Sequence, residues 1–364
     1  MKIAFVTNKY YPNPRGSSGG LESLRFELMK QGHVVFVLAS HRGKSLGREE
    51  GVFRYRVTEI FGKRLVWNSH QIIQDLDSLN VDIVHTQQYD GLGKIAREWA
   101  KKRGVPWIQT VSDTISVEKS RLVKELPNTT IVPTEIIGEM LRKATSLNQK
   151  IVVLPTGVVP EFFLDPNGSA VRKKWDIPSD AKVLLSVSRV TQEKNSQFLF
   201  QSLTSLIKRR ENVYLLCVGG GNLVDFFRTE VVARGLGNRV FFAEEVPKYD
   251  MKHYYACADV FVYVSKEDFR AVVVEEAMYA GLPVVAVSSG GAQERIIDQV
   301  TGFLASDAKE SSEFSDAVEH LLDNEEKAKS FGKAGHLYAE EHYKSSLCAK
   351  SLVEVYEKSC LYRG

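Results

Sequence analysis

The chain has 364 residues, of which 43% are hydrophobic and 26% charged; this is the composition of a globular protein and excludes disordered and collagen-like chains. That length exceeds one ordinary core and fits two domains of about 150–200 residues, with no run near the roughly 18 apolar residues of a membrane-spanning helix. The net charge of +3 is uneven: residues 1–150 hold 23 Lys and Arg against 15 Asp and Glu, the rest 25 against 30.

A basic first half suits an anionic partner, either a lipid surface or a charged substrate, although a solvated surface explains the same excess. Nucleic acid is not expected, because aromatic platforms and a reading helix are missing from the pattern.

In chain order, residues 2–7 form an apolar run closed by Asn8-Lys9-Tyr10-Tyr11-Pro12. It is too short for a signal-peptide core and reads as a buried first strand. Residues 15–22 make a glycine-rich loop whose amides suit an anion, or simply a flexible loop, opening a helix near 20–31. Strands follow at 34–39, 82–86, 105–110 and 129–133, with helices at 68–79, 92–103 and 135–145. Near-continuous apolar strands alternating with helices predict a parallel sheet covered on both faces. The helix at 94–103 is basic, partly amphipathic and carries Trp99, so it reads either as a membrane-surface helix or as an ordinary exposed one.

The rhythm breaks at Leu154-Pro155-Thr156-Gly157 and again through 160–168, where Pro, Gly and Asn read as a linker. It restarts with strands at 183–188, 213–218, 239–243, 259–264 and 283–287. The expected architecture is α/β: two Rossmann-like doubly wound domains, 1–158 and 159–344. A final helical stretch within 345–364 packs on either domain, the crossing back to the first being one option. The four cysteines, Cys217, Cys257, Cys348 and Cys360, lack metal-ligand or CxxC spacing and read as buried reduced thiols of a cytosolic protein.

Ligands of open α/β sheets sit beyond the carboxyl ends of strands. After strand 183–188 come Arg189 and Lys194, two cations in one loop that suit a diphosphate or, equally, solvent. After strand 259–264 come Glu267, Glu275 and Glu276, placed two turns into the next helix for the last pair. A carboxylate accepts two hydrogen bonds from a vicinal diol, whereas the plain alternative has Glu267 stabilising the helix start. Gly290-Gly291 and Gly219-Gly220-Gly221 follow strands and admit either a ligand or another backbone.

Taken in order, these residues resemble the GT-B-fold retaining glycosyltransferases of family 4. The resemblance is carried by Gly19-Gly20-x-Glu22, Gly32-His33, Asp82-Ile83-Val84-His85, Leu154-Pro155-Thr156-Gly157-Val158, Arg189 with Glu193-Lys194, Gly281-x-Pro283-Val284 and Gly290-Gly291 with Glu294. Leu-Pro-Thr-Gly-Val and Glu-Lys-Asn are also similar to the branch that glucosylates diacylglycerol. The resemblance implies two domains facing across a cleft and transfer of a sugar from a nucleotide-sugar, a UDP-sugar by this likeness, to a lipid or glycan. It implies no cofactor and no metal, cations taking a metal's place at the leaving diphosphate. Arg189, Lys194, Gly19 and Gly20 would hold the diphosphate; Glu267, Phe269, Arg270 and Glu275 or Glu276 would meet the sugar and ribose. Glu267 and Asp113 would be catalytic. The setting expected from the cysteines and the basic first half is the cytoplasm, with peripheral contact at the inner membrane face as one option.

Five departures stand out. The family's Glu-x7-Glu is met by Glu267 and Glu275, yet counting back from Ala277-Met278 and Gly281-x-Pro283 gives Glu276. Phe-Gly of the family loop is Phe269-Arg270, and Thr-x-His-Asp is Thr110-Val111-Ser112-Asp113. The helix from Glu22 to Gly32 and the stretch 112–128 are also short. They keep open a second reading, a decayed nucleotide-sugar-binding protein or partner subunit. An NAD-dependent oxidoreductase is disfavoured, since no G-x-G-x-x-G follows the first strand.

Overall fold

The structure is a computed structural model that describes residues 1–8, 10, 17–41, 50–60, 63–120, 127–145, 150–306 and 311–361. It divides into two compact units, Met1–Gly157 with Ser345–Gly364, and Val158–Lys344.

The first unit runs β1 (Lys2–Thr7), α1 (Ser17–Lys30), β2 (Val34–His41), β3 (Val52–Ile60), β4 (Lys63–Val66), α2 (Ser69–Leu79) and β5 (Ile83–Thr86). It continues with α3 (Leu92–Arg103), β6 (Trp107–Thr110), α4 (Thr114–Ser120), β7 (Thr129–Val132), α5 (Glu135–Thr145) and β8 (Ile151–Val153). The strands form one sheet in the order β4-β3-β2-β1-β5-β6-β7-β8. All but Lys2 of β1 is buried, because helices cover both faces, and such strands read as unbroken apolar runs.

One expectation is corrected here. The first sheet is mixed, because β3 and β4 pair antiparallel at its edge, Val57 opposite Val66 and Glu59 opposite Arg64. This half-exposed hairpin is punctuated by Arg54, Arg56 and Arg64, so it gave no apolar run. The glycines of residues 15–22 are corrected too: Gly19 and Gly20 lie inside α1, not in a loop before it. Arg15 and Gly16, and the surroundings of Gly19, lie outside the described residues. A Cβ on Gly20 would stand 2.5 Å from Thr156 Cγ2, so close packing already accounts for that glycine.

The second unit runs α6 (Gly168–Lys174), β9 (Lys182–Val187), α7 (Ser196–Arg209), β10 (Val213–Val218), α8 (Val224–Ala233), β11 (Val240–Phe242) and α9 (Met251–Cys257). It continues with β12 (Val260–Tyr263), α10 (Val272–Tyr279), β13 (Val284–Val287), α11 (Ala292–Arg295), β14 (Gly302–Ala305), α12 (Ser311–Asp323) and α13 (Glu325–His342). Its sheet is parallel in the order β11-β10-β9-β12-β13-β14. Successive residues feed opposite layers: Leu184, Leu215 and Val262 join one buried cluster, Leu185, Leu216 and Phe261 the other.

The chain then forms α14 (Ser345–Leu361), which belongs to the first unit. Its Ala349, Leu352, Val355 and Tyr356 share a cluster with Ile3, Phe5, Leu28, Val37 and Ile83.

Candidate active site

Strand order fixes where a crevice opens. In the second sheet β9 has its successor β10 on one side and β12 on the other, so the connections after β9 and β12 part in opposite directions. Loops 188–195 and 264–271 therefore flank the switch point.

These two loops are joined. Asn195 sits at φ 58, a left-handed conformation that asparagine tolerates, and its Nδ2 donates to Val264 O at 3.2 Å. Lys194 Nζ lies 3.0 Å from Asp268 Oδ2 with its side chain only 13% exposed. Burial pushes the Asp268 carboxyl up, but the Lys194 ammonium and the Ala271 N–H outweigh it and hold it below the usual range. The second oxygen, Oδ1, accepts from the N–H groups of Arg270 and Ala271, both at 3.3 Å. Ala271 itself is left-handed, φ 48, and α10 starts at the next residue.

Asp268 is thus the residue that sequence reasoning missed. Its signal was an aspartate just ahead of a helix start, and the stabilising role expected of its neighbour Glu267 is its own. Glu267 is exposed, and its carboxylate engages no described residue. Arg189 does not join this group. It is 56% exposed and forms a two-pronged pair with Glu193, at 2.8 and 3.0 Å, within its own loop.

The acidic pair on α10 separates cleanly. Both stand within the helix's first five residues rather than two turns in, because the helix begins only at Val272. Glu275 is 0% exposed, and its Oε1 accepts from Arg295 Nε at 2.6 Å; Arg295 is 4% exposed and stacks over Tyr343. That removes Glu275 from the candidate ribose ligands. Glu276 is half-buried, accepts from the Tyr255 hydroxyl at 2.7 Å, and its pKa is raised by burial against the smaller opposing pulls of Lys248 and Tyr255. The Phe269 ring is buried at 7%. Arg270 is half-buried, and its carbonyl accepts from Arg295 Nη2 at 3.4 Å.

The glycines turn out to serve backbone packing. A Cβ on Gly219 would lie 2.3 Å from Ser188 O, on Gly221 2.1 Å from Val190 O, and on Gly291 2.5 Å from Phe269 O. Gly291 N–H also donates to Asp268 O at 2.9 Å. The loops after β10 and β13 are laid directly on the two site loops. By contrast, the nearest neighbour of a Cβ on Gly220 would be 4.0 Å away. Gly221→Ala is therefore expected to destabilise the protein by about 1–3 kcal/mol, and Gly220→Ala by less than about 0.5 kcal/mol, read from urea midpoints.

In the first unit, Asp113 is exposed, and its Oδ1 accepts from Ser116 N at 2.6 Å, capping α4; Ser112 beside it is half-buried. The basic helix α3 is corrected in one respect. Trp99 is buried at 7%, donating Nε1 to Asp77 at 2.8 Å, and Arg103 pairs with the same carboxylate. No tryptophan is presented on that face. Cys217, Cys257 and Cys348 are buried free thiols and Cys360 is half-buried. No helix among the described residues is long and apolar enough to cross a membrane.

Two α/β units of this topology define a GT-B glycosyltransferase fold. Residues 169–337 match the family model described as Glycosyl transferases group 1, and residues 15–162 match that described as Glycosyltransferase Family 4. Each half of the chain thus carries a glycosyltransferase family domain. It is 25% identical over 332 residues to alpha-monoglucosyldiacylglycerol synthase of Streptococcus pneumoniae, covering 84% of this chain and 75% of that one. It is 30% identical over 199 residues to GDP-mannose-dependent alpha-(1-6)-phosphatidylinositol monomannoside mannosyltransferase of Mycolicibacterium smegmatis, covering 52% of each. Among solved structures, HepE of Anabaena in complex with UDP and glucose matches with TM-score 0.80 at 18% identity, covering 98% of this chain and 100% of that one.

Proposed function

We propose that the protein transfers a sugar from a UDP-sugar to a lipid or glycan acceptor with retention of anomeric configuration, the second unit holding the donor. The observation that carries this reading is the Lys194–Asp268 pair at the switch point of the second sheet, with exposed Glu267 adjacent in sequence. Lys194 would exchange Asp268 for the donor diphosphate and take up its charge as the sugar leaves, a role given to cations of this chain rather than to a cofactor or metal. Arg189 would join it after leaving Glu193. Glu267 would meet the sugar hydroxyls, the Phe269-Arg270 backbone the sugar, and Glu276 the ribose. In the first unit Asp113 would serve the reacting centre, and Gly19 and Gly20 the phosphates. UDP bound to HepE and the lipid acceptors of the two sequence relatives support the substrate classes.

The test is UDP release from UDP-sugars with lipid and glycan acceptors offered in turn; silence across the panel rejects catalysis. The second reading, a protein that binds nucleotide-sugar without turnover, draws support from Ser112 in place of the family histidine and from Asp113 serving as a helix cap. Binding of UDP without turnover would favour it. A cytoplasmic setting with peripheral contact to anionic lipid through basic residues of the first unit belongs to the same proposal, and vesicle flotation at low salt tests it.

Glu276 gives a sharper test. Its folded pKa lies above the unfolded value of about 4.3, so its contribution to stability is present below that pH and is lost as pH rises through the folded value. At neutral pH the buried carboxylate is therefore a burden. Glu276→Gln keeps an acceptor for Tyr255 and is expected to raise Tm at pH 7 by a few degrees, with no gain below about pH 4, while weakening UDP binding. A drop in Tm at pH 7, or unchanged UDP affinity, would refute the role.

A further inference from the structure

At the carboxyl end of the first sheet runs a buried hydrogen-bond relay outside the roles assigned above. His85, on β5 and 2% exposed, has Nδ1 2.6 Å from the Tyr356 hydroxyl of α14 and Nε2 2.7 Å from Thr110 Oγ1 at the end of β6. Burial pushes the imidazole down to about 3, so the ring is neutral and carries one proton; burial likewise keeps the Tyr356 phenol protonated.

Which nitrogen holds that proton follows from counting donors. Tyr356 is 0% exposed, and among the described residues its hydroxyl meets only His85 Nδ1. Were Nδ1 protonated, the phenolic hydrogen would be left in the core without an acceptor, a loss that folded proteins avoid. Tyr356 therefore donates to Nδ1, and Nε2–H donates to Thr110 Oγ1. Gln87 Nε2 stands 3.4 Å from both His85 Nε2 and Thr110 Oγ1, a long contact that brings a second donor to the threonine oxygen. Thr110 is half-buried, and with Oγ1 accepting from His85 its hydroxyl hydrogen takes no part in the relay.

We propose that His85, set by Tyr356, is a positioning residue that makes Thr110 a dedicated hydrogen-bond donor to a hydroxyl or ester oxygen of the acceptor substrate. The proposal rests on the glycosyltransferase reading above. Thr110 ends a strand where ligands of such sheets gather, three residues before Asp113. A hydroxyl free to rotate offers a donor or an acceptor; one that already accepts from His85 offers its hydrogen and selects a lone pair.

The test has two arms. With UDP-glucose as donor and diacylglycerol micelles as acceptor, Thr110→Val and His85→Leu should raise the acceptor KM about three- to tenfold, the worth of one neutral hydrogen bond, and leave the donor KM unchanged. His85→Gln can accept from Tyr356 and donate to Thr110, so it should stay within about twofold of the wild type. An unmoved acceptor KM in Thr110→Val overturns the proposal even if Tm falls. In the second arm, 15N NMR should show His85 Nδ1 as pyridine-type and Nε2 as pyrrole-type, reverting to a mixture in Tyr356→Phe; the opposite assignment in the wild type overturns the relay. Absence of turnover with every donor and acceptor refutes the enzymatic reading, and the proposal with it, while a reversed tautomer in an active enzyme refutes the relay alone.

Discussion

Arg295→Met is expected to destabilise the second unit by about 3–5 kcal/mol, because it strands Glu275 as an unpaired charge in the core. Both partners are sealed, at 4% and 0% exposure, and their 2.6 Å contact lies beneath the loop that carries Glu267 to Ala271. The size comes from desolvation rather than from the attraction itself. A buried carboxylate that loses the cation 2.6 Å from it must either protonate or draw water inward. The double variant Glu275→Leu with Arg295→Met should accordingly recover most of the loss, since replacing a buried pair by apolar side chains is often neutral. Urea unfolding reads both, and a single-variant loss under about 1 kcal/mol would show that the pair is not sealed from solvent.

Lys194→Ala is expected to weaken UDP binding by about 1.5–3 kcal/mol, roughly ten- to 150-fold, the range for hydrogen bonds to a charged group. A purely structural clamp between loops would give a similar loss by loosening the site, so a second variant is needed. Asp268→Asn keeps an oxygen for the N–H groups of Arg270 and Ala271 but removes the charge that Lys194 now answers. With the lysine released, UDP should bind at least as tightly as in the wild type. Calorimetry separates the cases: tight binding by Asp268→Asn marks Lys194 as a phosphate ligand held in reserve, and a loss matching that of Lys194→Ala marks the pair as scaffolding.

What the sequence disclosed depended on burial. Strands β1, β9, β10, β12 and β13 are covered on both faces, so each appears as an apolar run. The β3–β4 hairpin is half-exposed and charged, and β8 and β14 are only partly buried. The cation of the Lys194–Asp268 pair was legible, because its loop follows an unmistakable strand. It was not legible at Glu275, where spacing left two glutamates in contention. The deciding fact is an arginine 20 positions further along, which only folding brings against one of them. Glycine pairs were ambiguous for a related reason. A missing side chain admits a ligand or a neighbouring backbone equally, and here the neighbour at Gly219, Gly221 and Gly291 is backbone.

The placement of α14 bears on how the protein is made. Synthesis runs from the N-terminal side, and the second unit is complete in sequence once Lys344 has emerged. The first unit still lacks the Leu352 and Tyr356 that fill its interior beside Phe5 and Leu28. The half synthesised earlier therefore matures later, with β1 and its neighbours waiting for a helix encoded more than 300 residues downstream.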